Sequence, residues 1–418
     1  MIGTPPGVIH GEMQESVLAN GLRILSERIP GVRSISVGVW IRQGAAHESP
    51  EMRGGSHLLE HMVFKGTGSR GPREIAMALE RLGGSLDAFT SREHTSFQAR
   101  VLPQHLPVAL DVLADLVRDP LLREEDLELE REVVLEEISS VEDTPDDVAF
   151  EAHAEALWEG HPYGWPILGT RSSVEAIEAR TLRELHDRRY RHGRLLVAAA
   201  GYLEHEAFVE EVARGFGAMT GGEAPTVPTV DLATPVLDVH RPRPGAQVHL
   251  LFGNRTPPRS HRARIPLILL SAALGGGMGS RLFQKVREEL GLAYTVYSFQ
   301  SFYSRAGLAG VYVGTRPEWG DRAVDAVRAE YAELAREGLP ANELREVKNQ
   351  VAGQVMLSLE STSARLFRLA GMALHDEPLR TLDELLDRVE SVTEAEVAEV
   401  AARYLDPDRQ TVLRMGPP

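Results

Sequence analysis

The sequence contains no cysteine. That absence excludes disulfides, thiolate metal sites, iron–sulfur clusters and a cysteine nucleophile, so a metal here can be held only by histidine and carboxylate. Basic residues are in deficit: 45 Lys and Arg stand against 61 Asp and Glu, a net charge of −16. A surface of that sign repels phosphate and speaks against a nucleic-acid partner. Long apolar runs are missing too. The longest, IPLILLSAAL at 265–274, is roughly half of what a bilayer-spanning helix needs. The first residues, MIGTPPGVIHGEMQES, lack the basic-then-apolar order of a signal peptide. The expectation is a cytoplasmic protein with no membrane partner.

What is present is soluble, globular composition: 418 residues, 43% hydrophobic and 25% charged. That length suits two domains of about 200 residues each. The stretch GGSHLLEHMVFKG at 54–66 organises the rest. Ser56 is a good N-cap and Gly66 a good C′ residue, which predicts a short helix over 57–65. On it His57 and His61 fall about 40° apart, with Glu60 about 60° to the other side of His57. Leu58, Leu59, Met62 and Val63 take the opposite arc, so the helix docks by its apolar face and presents two imidazoles and a carboxylate together. The spacing His-x-x-Glu-His is the inverted zincin signature. Two histidines at i and i+4 can reach one Zn²⁺, and the glutamate beside them can take a proton from a water that the ion acidifies.

Residues 16–45 alternate as strands, with Asn20-Gly21 as a hairpin signal. Helices are expected over 72–82, 104–118 and 123–143, with a strand pair over 85–102. In the 123–143 helix, Glu130 and Glu137 fall inside the stripe of Leu127, Val133, Val134, Ile138 and Val141, while Glu125, Glu128, Glu132 and Glu136 face the other way. A carboxylate on a core-facing stripe is costly unless it is paired or metal-bound. One reading is a buried pairing with Arg or His; the other is that Glu137 completes a His₂Glu site with Glu130 orienting a ligand.

Further helices are expected over 145–159 and 172–191, then a strand at 195–203 and a helix to about Gly215. The Gly/Pro/Thr-rich run MTGGEAPTVPTVDLAT marks a linker, giving domains 1–218 and 237–418 around residues 219–236. The halves look like copies. Val174-Glu175-Ala176-Ile177 corresponds to Val389-Glu390-Ser391-Val392, and helices ending at Tyr190 and Tyr404 follow each. The implied fold class is α+β: two homologous α/β-roll domains from a tandem duplication, each an antiparallel-rich sheet with helices packed on one face.

In the second half, GGGMGSRLFQKVREELGLAYT (275–295) lacks the Gly-Lys-Ser/Thr of a phosphate loop. Physics alone makes Arg287 an ordinary surface arginine. Taken together, however, NGLRIL, HLLEHMVFKGT, LGGSLDAFTSREHTSF, EREVVLEEI, HPYGWPILGT and GGGMGSRLFQKVREELGLAY make the chain resemble the pitrilysin/insulinase zinc peptidases. The likeness is strongest to the half-length branch that includes the mitochondrial processing peptidase. The resemblance implies one zinc ion per chain held by His57, His61 and Glu137, with Glu60 as general base and Glu130 in support. It implies that Arg287 and Tyr294 contact the scissile carbonyl and position substrate. It also makes Asp87, Ala88 and Phe89 part of a substrate-binding edge strand. Here the sequence departs from the family's Asn-Ala: Asp87 cannot donate as an amide would, so it either favours a basic group nearby or caps a turn. The implied activity is endopeptidase cleavage of peptides or unfolded polypeptides. The implied assembly is a homodimer, or a heterodimer with a related subunit, in which Arg287 and Tyr294 serve the partner's zinc site. The rival reading is a non-catalytic scaffold subunit.

Overall fold

The structure, a computed structural model, describes residues 12–191, 195–221 and 226–417. Residues 1–11, read above for a leader, and 222–225 of the expected linker lie outside the described residues. The chain forms two compact units. Unit 1 takes the N-terminal segment to Ile138, Pro166–Thr226 and Met356–Leu382; unit 2 takes Ser139–Trp165, Val227–Val355 and the chain from Asp383 onward.

Unit 1 is built on a six-stranded sheet of β1 (Glu12–Val17), β2 (Arg23–Arg28), β3 (Ile35–Ile41), β4 (Ser85–Thr90), β5 (Thr95–Val101) and β6 (Leu195–Gly201), in the order β1-β2-β6-β3-β5-β4. The β1–β2 hairpin turns at Asn20-Gly21, where Gly21 has φ +89°. Only β2 and β6 run parallel. One face packs Val37, Val39, Val197 and Phe97 against Leu58, Leu59, Met62, Leu110 and Leu113 of the helices that follow β3 and β5.

Unit 2 carries five strands: β7 (Leu237–Pro242), β8 (Val248–Thr256), β9 (Ala293–Phe302), β10 (Gly307–Thr315) and β11 (Thr411–Gly416), in the order β7-β11-β8-β10-β9. With β1 set aside the two orders correspond strand for strand, as a duplication requires. Leu250, Phe252, Val311 and Val313 face the helices Arg264–Gly275, Gly320–Glu337 and Glu394–Tyr404.

The units are not contiguous halves of the chain. β3 and β6 are buried along their whole length, so their second face also needs apolar cover. In unit 1 that cover is the Thr362–Leu374 helix from the C-terminal half, whose Leu366, Leu369, Ala370 and Ala373 meet Leu25, Trp40, Leu196 and Ala198. In unit 2 the cover is the Pro145–Trp158 helix from the N-terminal half, with Ala149 against Leu251, Tyr312 and Leu413. Each half of the chain thus supplies a helix to the other's sheet.

Two local expectations change. The helix expected over 172–191 is two helices, Arg171–Ala176 and Ala179–Arg189, because Ile177 between them is extended at ψ 127°. β7 forms just past the Pro-rich run, where the sequence pattern gave no strand signal. Among the described residues, no helix is long and apolar enough to cross a membrane.

Candidate metal centre

The helix carrying His-x-x-Glu-His spans Gly55–Val63. Its entry is set by Gly54, at φ +86°, where a Cβ would run into the backbone of Leu168; a left-handed residue packed that closely must be glycine. Ser56 lies inside the helix and is not its cap, contrary to the expectation. The capping role passes to Glu48, whose carboxylate accepts the N–H groups of Gly54 at 2.9 Å and Ser56 at 2.7 Å. Burial pushes the Glu48 carboxyl up to about 7, against the lowering effect of those hydrogen bonds. Leu58, Leu59, Met62 and Val63 are fully buried, which pins the helix by the face opposite the histidines.

The two imidazoles stand 4.7 Å apart, centroid to centroid. Glu137, from the Glu124–Asp143 helix, reaches both: His57 Nε2 lies 3.7 Å from its Oε2 and His61 Nε2 lies 3.6 Å from its Oε1. Ligands about 2.0–2.1 Å from a tetrahedral Zn²⁺ sit roughly 3.4 Å from one another, so these separations fit one ion between the three. Their ligand atoms all fall within 4.8 Å, the one such group of three found among the described residues. Two of its polar atoms, His57 Nδ1 and Glu137 Oε2, are buried with no hydrogen-bond partner. An orphaned carboxylate oxygen facing an imidazole is costly unless a cation satisfies it. Burial, with repulsion from His61 second, holds the His57 imidazole down at about 4, so it is neutral, the form that ligates metal.

Around this trio the supporting contacts are specific. Glu130 is buried, as its place in the apolar stripe required, and its Oε2 lies 3.2 Å from His61 Nδ1. A hydrogen bond from the His61 Nδ1–H to that oxygen leaves His61 Nε2 free to face Glu137. Lys65 Nζ, 2.6 Å from Glu130 Oε1, balances the charge. Glu60 is buried, and Thr90 of β4 donates to its Oε2 at 2.6 Å. Burial raises the Glu60 carboxyl above its ordinary range, while the Thr90 hydrogen bond and His61 oppose the rise. Val133, expected on the core-facing stripe, is exposed.

β4, with Asp87, Ala88 and Phe89, forms the free edge of the unit 1 sheet beside this helix. Arg287 and Tyr294 belong to unit 2. The seven residues Phe283–Glu289 wind as a π-helix, and the Arg287 guanidinium stacks on the Tyr294 ring at 4.7 Å. Tyr294 is 76% exposed. Sequence reasoning missed Glu48, Lys65 and Thr90. Lys65 carried a signal, lying four residues after His61 on the same helical face; Glu48, alone in a loop, carried none.

A family model described as insulinase, peptidase family M16, matches residues 23–171, and one described as the M16 inactive domain matches residues 176–351. Among curated relatives, the uncharacterized zinc protease YmxG of Bacillus subtilis is 38% identical over 395 residues, covering 93% of this chain and 95% of its own. An uncharacterized zinc protease of Streptomyces coelicolor is 38% identical over 404 residues, covering 94% and 88%. Among solved structures, a peptidase M16 inactive domain protein from Pseudomonas fluorescens has a TM-score of 0.90 at 22% identity, covering 97% of this chain and 98% of its own. A protease from Helicobacter pylori has a TM-score of 0.88 at 21% identity, covering 97% and 100%. At those identities the two structures show the shared fold.

Proposed function

The chain belongs to the insulinase peptidase family, M16, and from that premise we propose that it is a zinc-dependent endopeptidase acting on peptides or unfolded polypeptides. The observation that carries this reading is the convergence of His57, His61 and Glu137 at ion-sized separations with Glu60 beside them. His57 and His61 would hold zinc through Nε2 and Glu137 through its carboxylate. Bound there, the ion supplies Lewis acidity, polarising a carbonyl and acidifying a water.

The chain's own residues do the rest. Glu130 keeps the proton of His61 on Nδ1 and so fixes the ring's orientation. Glu60 acts as general base and then acid. Thr90 engages its Oε2, leaving Oε1 to take a proton and hand it to the leaving amine. A carboxyl raised by burial is a better proton carrier near neutral pH than an ordinary glutamate. An extended substrate adds as a strand to the free edge of β4, its backbone bonding to the edge groups of Ala88 and its neighbours. Arg287 and Tyr294 donate to the oxyanion of the tetrahedral intermediate, acting on the site of a second copy of the chain. A purely structural subunit has no use for a buried carboxylate oxygen left without a hydrogen-bond partner beside the His57 imidazole, which favours the enzyme over the scaffold reading.

The deciding experiment is digestion of a peptide library by metal-loaded protein, with Glu60→Gln as control and metal analysis alongside. Cleavage by the first protein alone, with about one zinc per chain, is the expected result. No cleavage by either, or equal cleavage by both, overturns the reading. Mixing inactive Glu60→Gln with inactive Arg287→Ala protein tests the assembly. In a freely exchanging homodimer about a quarter of the sites regain both groups, so activity should return to about that level. No recovery after subunit exchange counts against action in trans.

A further inference from the structure

The free edge of unit 1 has two sides, and the metal cluster lies on one of them. Thr90 bonds to Glu60, and Leu86 and Ala88 pack into the core on that side. Successive side chains of a strand alternate, so Asp87 and Phe89 point the other way, toward the sheet face that the Thr362–Leu374 helix covers. There the Phe89 ring meets Phe367 of that helix at 5.9 Å, and Phe367 stands edge-on to Trp40 at 6.2 Å. Trp40 is buried beneath, yet Phe367 is 40% exposed and Asp87 is exposed. An aromatic ledge beside a carboxylate therefore lies open along the edge where a peptide would add.

The hairpin's own pairing decides which part of a peptide meets the ledge. The Ser91 N–H donates to the His94 carbonyl at 2.8 Å, so 91 and 94 form a hydrogen-bonded pair. With the register Phe89↔Ser96 and Asp87↔Gln98, alternation makes those pairs hydrogen-bonded as well. The N–H and C=O groups of Leu86, Ala88 and Thr90 are then the ones aimed outward. An antiparallel peptide bonded to Ala88 places its two flanking residues opposite Phe89 and Asp87, on the ledge side, with Cβ atoms about 4.5–5.5 Å away. Strand direction fixes the order: the residue before the Ala88 partner faces Phe89 and Phe367, and the residue after it faces Asp87.

We propose that this edge selects peptides of the form aromatic–any–Lys/Arg, with Phe367 and Phe89 receiving the ring and Asp87 the cation. The inference rests on the reading that substrate adds as a strand to β4. Aromatic contacts give it affinity beyond simple burial, and the carboxylate gives it charge preference in the direction that an acidic residue allows.

Binding can be measured without turnover, by fluorescence anisotropy of labelled peptides on zinc-loaded Glu60→Gln protein. Replacing Phe by Ala in a Phe-Ala-Lys peptide should weaken binding about five- to tenfold. That difference should vanish in the Phe367→Ala background and partly return in Phe367→Leu, with melting temperature and zinc content held as folding controls. Asp87→Asn should abolish the preference for Lys over Glu at the third position. The proposal is overturned if Phe367→Ala keeps the aromatic preference, if the reversed order Lys-Ala-Phe binds equally well, or if no peptide binds. Cleavage of library peptides by the wild type without this preference removes the subsite but leaves the peptidase; selective binding without any cleavage removes the peptidase but leaves the subsite.

Discussion

Units 1 and 2 share a strand order yet bury different chemistry at matching places. After β3, unit 1 inserts a helix with His57, Glu60 and His61 on one face; after β8, unit 2 inserts Arg264–Gly275, whose buried residues include Ile265, Leu267, Leu269, Leu270 and Leu274. The Glu124–Asp143 helix buries Leu127, Glu130, Val134 and Ile138, whereas Ala341–Ser358 buries Leu344, Val347 and Val351. The spacing is the same, so Glu130 stands where unit 2 has Val347. At these places unit 2 buries apolar side chains, whereas unit 1 buries Glu60 and Glu130, which bond to Thr90, His61 and Lys65. Both exchanged helices also bring polar groups to the sheet they cover. In unit 1 Thr362 bonds to Ser36 at 2.9 Å and Arg365 donates to Glu27 at 2.6 Å, and in unit 2 His153 is buried and bonded from Nε2 to the Thr411 carbonyl at 3.2 Å.

The largest effect should come from the group with no counterpart in unit 2. Glu60→Gln keeps the shape and the ability to bond Thr90 but cannot shuttle a proton, so kcat should fall about 10²–10⁴-fold while zinc content stays the same. An unchanged kcat would return Glu60 to the ordinary buried carboxylates.

Next in size is an acid sensitivity carried by unit 2's exchanged helix. Burial pushes the His153 imidazole down from the ordinary 6.5 to about 4, against the Thr411 hydrogen bond. The folded state therefore excludes a proton that the unfolded chain takes up. Stability from this group is intact above pH 6.5 and is lost as pH falls toward 4, by up to about 3 kcal/mol. His153→Met should flatten that part of the stability–pH curve in urea melts, and parallel curves for the two proteins would contradict it. The same ring explains Gly253, where a Cβ would overlap His153. Gly253→Ala should cost about 1–3 kcal/mol from overpacking, and a double-mutant cycle with His153→Ala should recover most of it.

The metal helix was legible because chemistry and period coincide: histidines four apart share a face, and leucines mark the opposite one. Glu137 and Glu130 were legible for the converse reason, as carboxylates placed where a stripe demands apolar residues. The strand pair at β4–β5 and the duplication were also visible. The helix exchange was not. The apolar face of Pro145–Trp158 says that it covers something, but one apolar sheet face attracts it as well as another, and only three-dimensional proximity chooses. Glu48 was hidden because a cap that reaches in from a separate loop leaves no mark in the helix it caps, and Ser56 at 56 offered a plausible local substitute. Thr90 was hidden because its alternation along β4 is that of any edge strand until the helix beneath is placed.

The smallest effect is also the closest test of the comparison, because it transplants unit 2's choice into unit 1. Glu130→Val removes a buried carboxylate and the acceptor of the His61 Nδ1 proton. Lys65 loses its partner, but its side chain is only partly buried and can turn to water. Replacing a buried ionic group by an apolar one of fitting shape is often neutral or stabilising, so the metal-free protein should melt at the same temperature or higher. Losing the group that orients a ligand costs about 10–100-fold in metal affinity, so zinc competition should show weaker binding of that order. The two results must appear together. A metal-free protein that melts lower with unchanged zinc affinity would make Glu130 a packing residue, and the divergence between the copies would then owe nothing to the ion.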